Sequence, residues 1–257
     1  MTPEATEAAI DPAIRAEVEA RHRRVLGRIA AAAERVGRSP DEVTLVGVAK
    51  RQPPARILAA IHAGLRVLGE SYVQEARAQR PRLEAALAAD PDTASLALEW
   101  RMVGRLQRNK AGVAVELFDA IETVDRPALV DTLSRRAVEA GHTLDALIQV
   151  SLCGEPQKGG CEADALPALA HRVVEAPGLR LRGLMTIPAA SPDPEAARPA
   201  FRRLRELGAR LPELEPSLER VELSMGMSAD LEVAVEEGAT LVRIGTALFG
   251  EREEAGG

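Results

Sequence analysis

Aromatic residues make up only 2% of this 257-residue chain, against 46% apolar residues overall. A core of ordinary size must therefore be built from Leu, Val, Ala and Ile. The two cysteines, Cys153 and Cys161, are too few for a disulfide framework or a thiolate metal site, and are expected as reduced thiols of a cytoplasmic protein. His22, His62, His142 and His171 fall in helix-like stretches without ligand spacing, which implies no metal. No run of about eighteen apolar residues exists, which excludes a membrane-spanning helix. The first thirty residues, rich in Glu, Arg and Ala, lack the apolar core of a signal peptide. A formal net charge of -6 argues against nucleic-acid binding through a basic surface. Scarcest of the charged residues is lysine: Lys50, Lys110 and Lys158 stand against thirty arginines.

What is present is alternation. Short apolar runs at 43–49, 66–69, 98–103, 118–123, 144–151, 180–187, 220–224 and 240–244 read as strands. Longer amphipathic runs at 53–63, 72–89, 106–116, 126–140, 162–176, 194–210 and 229–237 read as helices, preceded by another at 11–37. Gly64, Gly141, Gly178 and Gly238 fall where helices should stop. Eight strands joined by helical crossovers predict an α/β fold, a single (β/α)8 TIM barrel with an additional N-terminal helix, spanning residues 11–252. Residues 1–10 are expected as a flexible leader and 253–257 as a flexible tail. A doubly wound open sheet is the alternative.

In a barrel the functional site lies at the C-terminal strand ends, and unusual residues collect there. All three lysines lie on that side. Lys50 closes the apolar run Val43 to Ala49. Taken alone it is a charge at a strand end. Yet a lysine amine, unlike a guanidinium, can be driven neutral by desolvation and then attack a carbonyl. After the seventh strand comes the turn Ser224-Met225-Gly226-Met227-Ser228, with Ser228 expected as the N-cap of the next helix and Asp230 in its first turn. After the eighth comes Arg243-Ile244-Gly245-Thr246, where Gly245 admits close approach of an anion and Thr246 adds a hydroxyl. Barrel loops at these two positions frequently bind phosphate. A reactive amine facing a phosphate cup describes a bound phosphorylated aldehyde, and pyridoxal 5′-phosphate is the expected cofactor. Arg243 would direct a hydrogen bond at its pyridine nitrogen. The ring would then stay neutral and act as a weak electron sink, which disfavours carbanion chemistry.

These segments resemble the pyridoxal phosphate homeostasis protein family, whose barrels are similar to the N-terminal domain of alanine racemase. The resemblance spans about residues 11–252. It rests on Val48-Ala49-Lys50, on Gly69-Glu70-Ser71-Tyr72-Val73-Gln74-Glu75, on Gly104 to Lys110, on Gly154 to Gly159, on Gly183 to Ile187, on Ser224 to Asp230 and on Arg243 to Gly250. It implies that Lys50 is the Schiff-base lysine, carrying the cofactor as an aldimine, and that Arg243 lies near the pyridine nitrogen. It further implies that Ser228, Gly245 and Thr246 hold the phosphate, with Ser224 and Met225 lining the same pocket. Two departures stand out. The family usually has Asn at Ser71, and a His at Arg101, which is placed near the rim and expected either to tune anion affinity or to pair with Glu99 or Glu70.

A two-base racemase needs a second acid/base group opposite the lysine. The chain ends soon after the eighth strand, and its one tyrosine, Tyr72, reads as a packing or pocket-wall residue. The implied function is reversible carriage of pyridoxal phosphate in vitamin B6 homeostasis without efficient catalysis, with apo-forms of pyridoxal phosphate enzymes as recipients. The alternatives are a low-activity amino-acid racemase and a Schiff-base aldolase acting on a phosphorylated substrate. Lys110 and Lys158 read as surface charges or secondary anion contacts, with Lys158 in a mobile Gly-flanked loop. The absence of an apolar stripe predicts a monomer.

Overall fold

A computed structural model describes residues 10–216, 218 and 220–251. The expected tail lies outside the described residues, as does the expected leader apart from Ile10. Eight parallel strands close into a barrel in sequence order. They are β1 (Thr44–Val48), β2 (Val67–Glu70), β3 (Glu99–Met102), β4 (Ala120–Val124), β5 (Leu144–Gln149), β6 (Leu179–Met185), β7 (Glu222–Ser224) and β8 (Leu241–Ile244). The seam is sealed by β1 against β8, with Gly47 opposite Ile244. The sheet therefore has no open edge, and the doubly wound alternative falls away.

The helices are α1 (Pro12–Arg35), α2 (Pro54–His62), α3 (Val73–Ala89), α4 (Ala111–Leu117), α5 (Pro127–Ala140), α6 (Leu166–Glu175), α7 (Arg198–Gly208), α8 (Leu231–Glu236) and α9 (Thr246–Phe249). α1 buries Val18, His22, Val25, Ile29, Ala32 and Ala33, a stripe at helical spacing, against α2, α8 and α9. It thus covers the outside of the seam. α5 stops where the sequence says it should: Gly141 takes the left-handed conformation, φ 72°, that ends helices at low steric cost. The expected helix at 106–116 begins later, at Ala111, because Arg108–Lys110 forms a separate 3-10 turn. The four-residue α9 has no counterpart among the expected elements.

The core has two compartments, set by the two-residue period of the strands. Val46, Val67, Val103, Leu147, Met185 and Leu241 fill the lumen, with Val48 and Ile187 packed on them. Residues of opposite parity, among them Leu45, Leu68, Trp100, Met102, Val242 and Ile244, face the helices in a larger outer layer. Inward parity on β1 is thus 46, 48 and 50, and on β8 it is 241, 243 and 245.

Candidate functional site

By that parity Lys50 emerges at the C-terminal mouth, one inward step beyond Val48, and it is half-buried. The turn that carries it is held from α3. Arg51 has φ 54°, the one positive-φ non-glycine residue among those described; its N–H donates to Glu75 Oε2 at 3.2 Å. Gln79 Nε2 donates to the carbonyl of Gln52 at 3.1 Å, and Gln52 N–H closes the turn on Ala49 O at 2.9 Å. Lys50 Nζ lies 4.6 Å from the centre of the Tyr72 ring, within cation–π range. Tyr72 is 42% exposed, so it forms a wall of the mouth and takes no part in the core. Tyr72, Glu75 and Gln79 therefore build the seat of Lys50, a role for Glu75 and Gln79 that the sequence did not suggest. Ser71 is half-buried and presses its backbone on the next loop: a Cβ on Gly104 would fall 2.2 Å from Ser71 O, so only glycine fits there.

Across the seam, the loop after β8 comes beside this turn. A Cβ built on Gly245 would lie 3.6 Å from Val48 O, an ordinary contact, and φ there is −106°. Neither crowding nor backbone conformation requires glycine at 245; what its bare backbone leaves is open space at the mouth. Thr246 is exposed as the first residue of α9. Ser228 is not the N-cap of α8. That position falls to Asp230, whose carboxylate accepts from Met227 N–H at 2.6 Å. The Ser228 hydroxyl instead accepts from Ala247 N–H at 3.3 Å, tying the loops after β7 and β8 together. Met225 does not join them. Ser224 points into the lumen, so its neighbour points out, and the Met225 side chain is fully buried in the helix-facing layer.

Arg243 lies beneath the mouth, 5% exposed. It donates from Nη1 to Ser224 Oγ at 2.7 Å and from Nη2 to Thr186 O at 2.8 Å. Burial holds its pKa below the usual arginine range, and the charges of Glu122 and Asp230 oppose that shift. Arg101 is not at the rim. It is 4% exposed inside the barrel, towards the N-terminal end, where it pairs with Glu99, Glu122 and Glu222. Glu70 is fully buried at the C-terminal end of β2, on the helix-facing parity of Leu68, and pairs with no arginine. Neither carboxyl oxygen has a hydrogen-bond partner among the described residues. Burial first, and the nearby Glu75 charge second, push its pKa up to about 8, with the Ser71 amide opposing in part.

The other two lysines follow β3 and β5. Lys110 is half-buried where the 3-10 turn meets α4. Lys158 is tied down on more than one side, against the expectation of a mobile loop. Its ammonium donates to Glu155 Oε1 at 2.9 Å and to Pro188 O at 2.7 Å, and its own carbonyl accepts from Gln149 Nε2 at 2.8 Å. Cys161 is buried, and that burial pushes its thiol up to about 11, away from thiolate chemistry.

The mouth thus gathers one primary amine, two linked hydroxyl-bearing loops with space before a glycine, and a buried guanidinium below them. That donor set suits a phosphorylated aldehyde: an amine for the carbonyl carbon, hydroxyl and backbone donors for the phosphate, and a cationic donor for a ring nitrogen. Residues 26–253 match the family described as alanine racemase, N-terminal domain. A pyridoxal phosphate homeostasis protein of Pseudomonas aeruginosa is 44% identical over 230 residues, 90% of this chain and 94% of that protein. One of Aquifex aeolicus is 43% identical over 90% of this chain and 96% of its own length. Among solved structures, PipY of Synechococcus elongatus with pyridoxal phosphate bound superposes with a TM-score of 0.73 at 38% identity, over 86% of this chain and all of PipY. Alanine racemase of Clostridium difficile, 12% identical with a TM-score of 0.66, shares the fold alone. Matching at this identity over nearly the whole length of its relatives, the chain belongs to the pyridoxal phosphate homeostasis protein family, one branch of the alanine racemase N-terminal domain barrels.

Proposed function

We propose that this protein binds pyridoxal 5′-phosphate at the C-terminal mouth of its barrel and carries it reversibly, as part of vitamin B6 homeostasis, without efficient turnover. The observation that carries the reading is the approach of Gly245 to Val48, two residues before Lys50, across the β1–β8 seam, with Arg243 buried beneath. A relative of 38% identity, aligned over its whole length, has this cofactor bound. When bound, pyridoxal phosphate supplies an aldehyde with which a primary amine condenses. Lys50 supplies that amine, steadied by Tyr72 and by the Glu75 and Gln79 contacts to its turn. Ser228, Gly245 and Thr246 hold the phosphate through hydroxyl and backbone donors. Arg243 donates to the ring nitrogen and, being unable to accept its proton, leaves the ring neutral. The Met225 side chain has no part, because it packs on the helices.

Recipients of the carried cofactor are apo-forms of pyridoxal phosphate enzymes, and the protein acts as a monomer. Among the described residues, the large apolar side chains left exposed, Leu26, Val36, Tyr72, Val138, Leu214 and Met227, are spread over several elements. No described helix is long and apolar enough to cross a membrane.

The test is the absorbance of the protein mixed with pyridoxal phosphate. A visible band retained after desalting is expected, and it should vanish in Lys50→Ala while the fold persists. A band that survives the substitution contradicts the assignment of Lys50. Incubation of the loaded protein with alanine in deuterated water should give no exchange of the α-proton; rapid exchange would make it a racemase.

A further inference from the structure

The polar groups inside the barrel form one continuous line. Arg243 Nη1 donates to Ser224 Oγ at 2.7 Å, and Ser224 Oγ donates to Glu122 Oε2 at 2.5 Å. The other oxygen of Glu122 faces Arg101 Nη1 at 3.3 Å. That same nitrogen of Arg101 reaches Glu222 at 2.8 Å, while its Nε donates to Glu99 at 2.7 Å. From Arg243 to Arg101 the line is buried: Glu122 and Ser224 are 0% exposed, Arg101 4% and Arg243 5%. The direction of the line is fixed by its chemistry. A guanidinium can only donate and a serine hydroxyl has one proton, so Ser224 accepts from Arg243 and gives its proton to Glu122.

This arrangement answers a problem at the mouth. No carboxylate makes a direct ion pair with Arg243 among the described residues, although burying an uncompensated cation is costly. The Glu122 charge opposes the effect of burial on Arg243, and Ser224 is the bridge that delivers it. A carboxylate placed directly against Arg243 would instead occupy the N–H groups that a ligand needs.

We infer that Glu122 is a positioning residue of the cofactor site: through Ser224 it orients Arg243 and supplies its counter-charge, while Arg101 draws on the same carboxylate from below. The inference rests on the reading of the mouth as a pyridoxal phosphate site. Glu122 touches no cofactor; it acts on Arg243, which does. Arg101 holds Glu122 from the far side, so that one carboxylate sits between two guanidinium groups. Glu99 and Glu222 in turn balance Arg101, which leaves Glu122 free to serve the upper one.

The test compares wild type, Glu122→Gln, Ser224→Ala and the double variant, each titrated with pyridoxal phosphate and followed by the visible absorbance of the bound cofactor. Asp145→Asn serves as control, since Asp145 bonds Arg180 and Arg182 at the N-terminal end and touches none of Arg243, Ser224, Glu122 and Arg101. Thermal unfolding of the cofactor-free proteins runs in parallel. Glu122→Gln and Ser224→Ala are each expected to weaken binding by about tenfold and to move the position of the bound-cofactor band. The double variant should be no worse than the poorer single variant by more than about twofold, because both act along one line. Asp145→Asn should stay within about twofold of wild type and leave the band in place. A merely structural role for Glu122 would lower the unfolding temperature and leave the band where it was. The inference is overturned if Glu122→Gln folds and binds as wild type does with the same band. Should that variant not fold, an unchanged affinity and band in Ser224→Ala overturns it equally. Wild type that binds no cofactor would sink the proposed function itself, and this inference with it. Binding by wild type with indifferent variants removes only the positioning role.

Discussion

At the N-terminal mouth of the barrel, Arg180 grips both oxygens of Asp145 at 2.6 and 3.0 Å, and Arg182 reaches Glu222 and Asp145. They surround a cavity of about 330 Å³ lined also by Glu99, Arg101, Asp119, His142 and Thr143. At the C-terminal mouth the same chemistry is spent differently. Lys50 rests on an aromatic face, Arg243 meets only a hydroxyl and a carbonyl, and Gly245 leaves space where a side chain would fit. On the helix-facing side of β2, neither carboxyl oxygen of the buried Glu70 has a hydrogen-bond partner among the described residues. One end saturates its charges with one another and becomes scaffold. The other leaves donors and a carboxyl underused, which costs stability and makes a site.

The largest effect that would sharpen this contrast concerns Glu70. Its carboxyl is raised from the ordinary 4.5 to about 8 in the folded protein. Between those values the folded state keeps a proton that the unfolded state releases, so stability falls as pH rises through this window and levels off above about 8. The contribution lost across the window is roughly 5 kcal/mol. Glu70→Gln removes the slope, so denaturant unfolding from pH 5 to 8 should show the variant gaining on wild type as pH rises. Parallel stability curves would mean that Glu70 is not held neutral.

A smaller effect separates site from scaffold at Gly245. A Cβ there meets only Val48 O at 3.6 Å, so Gly245→Ala should change folding stability by less than about 1 kcal/mol. The added methyl enters the space before the loops proposed to hold the phosphate, and affinity for pyridoxal phosphate should fall by about tenfold in equilibrium dialysis. Loss of stability with unchanged affinity would invert the assignment. The smallest effect belongs to the N-terminal mouth. Arg180 is 60% exposed at its side chain, and Arg180→Ala should cost no more than about 1 kcal/mol, read by chemical denaturation, with cofactor affinity unmoved. A marked fall in affinity would show that the two mouths are not separate regions.

The barrel was legible because its signals are local. Eight apolar runs separated by amphipathic ones, with glycines such as Gly141 at the stops, dictate strand–helix alternation whatever the packing. α9 was missed because four residues carry no period, and α4 was started too early because Arg108–Lys110 has helical composition but a tighter turn. In the site, Lys50, Ser228, Gly245 and Thr246 could be placed from their position after strands 1, 7 and 8. Met225 was misplaced although the two-residue period held the answer: with Ser224 facing in, Met225 faces out. Arg101 and Glu122 were legible only as isolated charges in apolar runs. Which charges meet inside a closed barrel depends on register between β3, β4 and β7, and no single strand carries that information. The support of Lys50 by Glu75 and Gln79 was hidden likewise, since it joins two segments 24 and 27 residues apart.

The central claim is that Lys50, of the three lysines on this side of the barrel, is the amine that captures the cofactor aldehyde. Borohydride reduction of the loaded protein followed by peptide mass mapping tests it directly. The account predicts the added mass on the peptide containing Lys50 alone. Its appearance on Lys110 or Lys158, with Lys50 unmodified, would contradict it.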